Sequence, residues 1–252
     1  MRSRIATKSK EDVPYLHDRQ IEEEANVLLA QFETEHGTIA GPPVPIEDIT
    51  EAFLGLAMEW KDLQASEGHP DVHGAIYFPQ RKIAIDLSVN PADNPRKEGR
   101  YRFTIAHEVG HWRLHRKHYL KDAAQGLLSA DMANERPSYV CRDGVRNRVE
   151  TQANRFGAYL LMPARMVKAA WHAEHGVNVI ALDSLRANKD KILFKEFLHR
   201  GSTPAAQDAV DDVLLEHAAR PIAKKFKVSA HAMRIRLETL GLLVQKVEVG
   251  LF

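Results

Sequence analysis

Cysteine is nearly missing from this chain. Its single example, Cys141, excludes a disulfide within the chain and fits a reducing compartment. Charge of one sign is missing too. The net charge is +1 at pH 7, so no global field draws the chain to nucleic acid or an anionic membrane. No apolar run approaches the roughly 20 residues that span a bilayer. The first dozen residues are basic and polar, without the apolar centre of a secretory signal. These absences predict a soluble, cytoplasmic protein with no membrane partner. What remains is an ordinary globular balance, 44% hydrophobic and 27% charged over 252 residues. That length suits one large domain or two small ones.

The most informative run is His107-Glu108-Val109-Gly110-His111. It follows the helix-compatible stretch Arg102-Phe103-Thr104-Ile105-Ala106. Two imidazoles four residues apart leave one side of a helix about 5.4 Å apart, so one ion can touch both. Glu108 is angled toward the same cleft, where it can take a proton from water at the metal. The alternative is a surface helix with two solvated histidines. Ile105, Ala106, Val109 and Trp112 argue against it, because they make the helix partly buried.

A zinc site needs a third protein ligand. His115 lies eight positions past His107, about 12 Å along a helix axis, too far for one ion. It reads as a helix-end residue, favourable near the negative pole of the dipole. His118 reads as a surface residue beyond the helix. Downstream, residues 149–162 read as a second helix stopped by Pro163. Glu150, Ala153, Asn154, Gly157 and Leu161 share one of its faces. Glu150 would complete a His2Glu site for one Zn2+ ion. Asn154 would accept a hydrogen bond from the far nitrogen of a ligating imidazole and fix its tautomer. The plainer reading leaves Glu150 solvated and Asn154 a satisfied polar contact.

These two segments together resemble the ImmA/IrrE family of metallopeptidases. Phe103–His111 is similar to that family's zinc helix, and Glu150 to Asn154, Phe156 and Leu160-Leu161-Met162-Pro163 to its glutamate helix. Pro43-Val44-Pro45-Ile46-Glu47-Asp48-Ile49 resembles the entry to its first small helix. Gln152 stands where the family often has an acidic residue, and Gly157 where it usually has alanine. The resemblance implies zinc-dependent peptide hydrolysis, with helix-turn-helix repressors of stress or mobile-element genes as usual targets.

The expected fold is α+β. A flexible tail (1–14) precedes a zincin-like domain (15–180), in which a small antiparallel sheet packs on the HExxH helix and the glutamate helix. A helical C-terminal region (181–252) ends in a winged helix-turn-helix-like unit. Helices are expected over 17–36 and 46–54, and a strand near 56–60. A hairpin joins 75–78 to 82–86 around Pro79-Gln80-Arg81. An edge strand there could pair with an extended substrate, or the hairpin could be purely structural. Residues 119–147 read as a long aperiodic linker carrying Cys141. Its thiolate could fill the open position on the metal and hold the enzyme latent, or it is a plain loop cysteine. Tyr77, Tyr139 and Arg142 are open choices for steadying an oxyanion.

Further helices are expected over 164–174, 184–198 and 205–219. A short helix from 222, a turn at Val228-Ser229 and a helix ending at Gly241 follow, with a wing-like strand over 242–249. Lys224, Lys225, Lys227, Arg234 and Arg236 make this end basic. DNA binding through phosphates is one reading. A subdomain that packs on the protease or docks a protein fits the near-neutral total charge better. Three functions therefore stand side by side: a zinc endopeptidase with Glu108 as base, a DNA-binding regulator with a sensory or relic metal site, and a docking module with a structural one. A purely structural site needs no base beside its first ligand, which favours the first.

Overall fold

Apolar stretches form strands where the pattern predicts them: β1 (Ala57–Lys61), β2 (Val72–Tyr77) and β3 (Lys82–Asp86). These belong to a computed structural model that describes residues 13–124, 137–142, 144, 147–200 and 207–246. β2 and β3 make the expected hairpin. Arg81 sits in its turn at φ 51° and donates to the Leu54 carbonyl at 2.6 Å. The sheet is mixed rather than antiparallel, because β1 pairs in parallel with β3. Period-2 alternation shows which side chains point to the core, but not which strand lies alongside. Here β1 skips its sequence neighbour β2 and lies beside β3, after a connection through α3 (Leu63–Glu67).

A second departure lies in the expected linker, which contains both a helix and a strand. α5 (Arg116–Ala124) follows the HExxH helix, and β4 (Tyr139–Arg142) pairs antiparallel with β2. Four residues are too few for alternation to register. The strand order is β1-β3-β2-β4, so β4 is an edge and the hairpin strands are interior. Neither hairpin strand is therefore the edge strand that the sequence allowed for.

The HExxH helix, α4 (Glu98–Leu114), begins ahead of the helix-compatible stretch at residues 102–106. A 3-10 turn at Pro95–Lys97 leads into it, with Asn94 Oδ1 accepting the Arg96 N–H at 3.1 Å. From Thr104 to Trp112 every residue of α4 is buried. Its neighbours include β2, β3 and β4 of the sheet and α6 (Arg148–Leu161), the expected glutamate helix. Asn147 caps α6, its Oδ1 accepting the Glu150 N–H at 2.8 Å. α1 (Asp18–His36) packs on α6 with Ile21, Ala25, Leu28, Leu29 and Phe32 buried, the stripe its spacing predicts. α2 (Ile46–Asp48) continues into a π-helical turn at Ile49–Phe53. Of the expected flexible tail, residues 1–12 lie outside the described residues. Val13 and Pro14 are held to α6: their carbonyls accept from Arg148 at 3.0 Å and Gln152 at 2.8 Å.

The chain divides into two compact units. One comprises the described residues up to Ile39 with Pro45–Leu161. The other comprises Ala40–Val44 and the described residues from Met162 on. The first ends at Leu161, so the expected boundary at 180 falls inside the second. That second unit holds α7 (Ala164–His175), α8 (Leu182–Arg186), α9 (Lys189–Arg200), α10 (Gln207–Phe226) and α11 (Ala230–Thr239). The expected break after residue 219 is absent, and α10 runs on through Pro221. Ser229 caps α11 through the Ala232 N–H at 3.0 Å, and Gly241 follows it at φ 68°. The expected wing is reduced among the described residues to β6 (Leu243–Val244), paired in parallel with β5 (Ile180–Ala181). Residues 247–249 of that wing lie outside the described residues. No described helix is long and apolar enough to cross a membrane.

Candidate metal centre

α4 and α6 cross at very short range. A Cβ added at Gly157 would lie 3.1 Å from the His107 backbone nitrogen, and one at Gly110 3.1 Å from Ala153 Cα. This approach carries Glu150 and Asn154 on α6 to the imidazoles on α4. His107 Nε2 lies 2.9 Å from His111 Nε2 and 3.1 Å from Glu150 Oε2, and His111 Nε2 lies 3.4 Å from Glu150 Oε1. Ligands on one tetrahedral zinc sit roughly 3.3–3.5 Å apart, given bonds of about 2.0–2.2 Å. All three side chains are buried.

Proton placement makes the case for a cation. His107 Nδ1 lies 2.9 Å from Asn154 Oδ1, which only accepts, so the ring donates there. In the neutral ring, Nε2 then carries a bare lone pair aimed at a carboxylate. His111 is set the same way through a longer chain. Gln152 Nε2 donates to the Pro14 carbonyl, which turns Gln152 Oε1 toward His115 Nε2 at 3.0 Å. His115 donates there, so its Nδ1 accepts from His111 Nδ1 at 2.9 Å. His111 Nε2 is thereby left with a lone pair as well. Three lone-pair donors converge with no proton between them, and a divalent cation satisfies all three.

The electrostatics agree. Burial, then the neighbouring His111, pushes His115 from 6.5 down to about 3, so it stays neutral. His115 does end α4 as expected, but it brings no charge to the dipole there. It caps α4 but is buried, and a charge there would have no solvent. Burial pushes the Glu150 carboxyl upward, but His107 and His111, when either ring carries a proton on the Nε2 that faces it in place of a cation, outweigh this and hold it below the ordinary range. Glu108 moves the other way. Burial first, and Glu150 second, raise it well above 4.5. Its carboxylate is fully buried and neither oxygen has a hydrogen-bond partner in the structure. Gly74 makes room for it, since a Cβ there would lie 2.8 Å from Glu108 Oε1.

The remaining candidates separate cleanly. Tyr139 stacks on the His111 ring, with centroids 4.6 Å apart and planes 6° apart. Cys141 lies two residues along β4 on the same face, buried, and offers a ligand atom within 4.8 Å of those of His107 and Glu108. Arg142 lines a cavity of about 330 Å³ with Glu67, His69, Tyr139 and Glu150. Tyr77 is elsewhere, packed with Leu63 and Ala84 and beneath Lys82 Nζ. Sequence reasoning gave His115, Gln152 and Gly74 no part in the site. Among the C-terminal basic side chains, Lys225, Arg234 and Arg236 are engaged within their own unit. Lys225 pairs with Glu174 at 2.9 Å, Arg234 pairs with Asp212, and Arg236 is buried and donates to the Met162 carbonyl at 2.9 Å.

Residues 92–188 match the family model Peptidase_M78, described as the IrrE N-terminal-like domain. No curated protein matches the chain.

Proposed function

We propose that the chain is a zinc-dependent endopeptidase, a reading supported by the match of residues 92–188 to the IrrE N-terminal-like domain of the Peptidase_M78 family. His107, His111 and Glu150 would hold the ion. Two imidazoles and a carboxylate suit zinc well. The observation that carries the reading is the convergence of those three buried side chains, with both imidazole tautomers fixed from behind.

Zinc bound there would polarise the scissile carbonyl and bring the pKa of a water toward about 7. The chain's own residues do the rest. Glu108 accepts the proton of the attacking water and delivers it to the leaving amide nitrogen. Burial raises this carboxyl in the metal-free site, and the charge of a bound cation would offset that rise and leave Glu108 able to accept the proton. β4 offers an open edge beside the site, where an extended peptide can add as a strand. The Arg142 cavity meets that edge next to Glu150 and suits a side chain near the scissile bond. Glu108 also weighs against a structural or sensory site, which needs no buried, unpartnered carboxylate beside its first ligand.

The substrate we propose is a helix-turn-helix repressor in a stress or mobile-element response, an expectation resting on the family resemblance. DNA is the less favoured partner, because Lys225, Arg234 and Arg236 already have partners. The test is incubation of the full chain with the helix-turn-helix repressor encoded beside its gene. Cleavage should require metal, stop with chelator, and be absent from a Glu108→Gln protein that still binds one zinc. Cleavage that persists in Glu108→Gln or in chelator would refute the mechanism. Intact repressor under all conditions, with an unrelated unfolded protein cleaved, would refute the substrate alone.

A further inference from the structure

We infer that the site contains a second cation position, formed by His107, Glu108 and Cys141, which takes a thiophilic ion and is incompatible with catalysis. Its regulatory meaning rests on the endopeptidase reading above, while its geometry does not. The three side chains are buried and place one ligand atom each within 4.8 Å of one another. Glu108 is fully buried, and among the described residues neither of its carboxyl oxygens has a hydrogen-bond partner, so an oxygen donor beside the thiol is available as a ligand. The two elements that supply these residues are held in register. Cys141 on β4 pairs with Gly74 on β2, and Gly74 is the residue whose missing side chain admits the Glu108 carboxylate.

The two positions exclude each other. His107 Nδ1 is engaged by Asn154, which leaves one ring nitrogen for any metal. An ion on the His111 and Glu150 side leaves Glu108 free to move protons. An ion on the Cys141 side takes Glu108 as a ligand and removes the base. The donor sets also differ in softness. Imidazoles with one carboxylate accept zinc, whereas a thiolate adds preference for soft d10 cations such as cadmium or copper(I). Binding there releases the thiol proton, and the Glu108 carboxyl proton where it is present, to solvent, and the cation gains sulfur and oxygen ligands with no change of oxidation state.

The probe is cadmium added to the full-length, metal-free protein, read by the ultraviolet thiolate-to-cadmium charge-transfer band. The chain has one cysteine, so any such band reports Cys141. The band should appear in the wild type and persist in His111→Ala, which retains all three proposed ligands. It should vanish in Cys141→Ser and Cys141→Ala, both of which should still bind one zinc. Cadmium should inhibit cleavage by the wild type and lose potency against Cys141→Ser. A folded wild type without the band would overturn the inference. So would a band lost in His111→Ala, since Cys141 would then be a fourth ligand of the first position. If instead Cys141→Ser binds zinc and a further His111→Ala change leaves that binding unaltered, the endopeptidase reading fails and the second position stands.

Discussion

His111 Nδ1 and His115 Nδ1 face each other at 2.9 Å, and only one of them can carry the proton. Gln152 decides which. Its amide oxygen takes the His115 Nε2 proton, so His111 is the donor and keeps Nε2 bare for metal. His115 is thus a positioning residue and not a ligand. Replacing such an outer partner typically costs about 10–100-fold in metal affinity. We expect His115→Ala to show a loss of that size in a chelator competition, with one zinc still bound at saturation. His115→Gln keeps an acceptor for His111 and should lose less. Equal affinities for all three proteins would remove His115 from the site.

Gly74 limits where the Glu108 carboxylate can sit. An alanine methyl there would lie 2.5 Å from Thr104 Cγ2 and 2.8 Å from Glu108 Oε1, which real contacts do not allow. The proposed base must then swing away while the metal ligands stay in place. Gly74→Ala should keep zinc affinity within a few-fold and lose turnover by about 10²-fold or more, the scale of a misplaced general base. Turnover close to wild type would show that Glu108 tolerates displacement, and the base assignment would need revision.

The clustering of His107, His111 and Glu150 was far more legible in the sequence than the sheet, for a physical reason. Helical periodicity fixes relative direction over several turns, so the spacing of His107 to His111 and of Glu150 to Asn154 carried three-dimensional information. That reasoning also excluded His115 as a ligand of the same ion. It could not see that His115 is buried, because the covering residues Tyr139 and Gln152 come from other elements. β4 was invisible because four residues hold no measurable period, and its partner β2 is distant in sequence. The parallel pairing of β1 with β3 was invisible because strand order is a long-range property. At the far end, Ser229 and Gly241 marked the limits of α11 correctly, as local cap chemistry allows. The break expected between residues 219 and 222 is absent, since α10 continues through Pro221.

The helix crossing gives a separate handle on metal affinity. Gly157 sits 3.1 Å, by its absent Cβ, from the His107 backbone nitrogen, and backbone cannot swing aside as a side chain can. Gly157→Val should force α4 and α6 apart and cost about 1–3 kcal/mol of stability, the usual range for overpacking. Because Glu150 and Asn154 ride on α6, zinc affinity should fall together with the melting temperature. Gly157→Ala should show both effects at smaller size, since one methyl at 3.1 Å needs only a few tenths of an ångström of movement. A Gly157→Val protein with lowered stability but unchanged zinc affinity would disconnect the crossing from the site.

Glu108 predicts a stability cost with a definite sign. Burial raises its carboxyl well above the ordinary 4.5, so the folded chain holds this proton where the unfolded chain has released it. The stabilising contribution is therefore complete below about pH 4.5 and is lost as pH rises toward the folded-state value. At neutral pH the metal-free protein either keeps an unusual proton or buries a bare carboxylate. Glu108→Gln removes that dependence, because an amide does not titrate. Thermal melts in chelator should show the variant more stable than the wild type at neutral pH, with the gap widening upward from about pH 4.5. Parallel melting curves between pH 4.5 and 8 would mean that the carboxylate is solvated in the metal-free protein. The burial-driven rise of the Glu108 carboxyl would then lose its support.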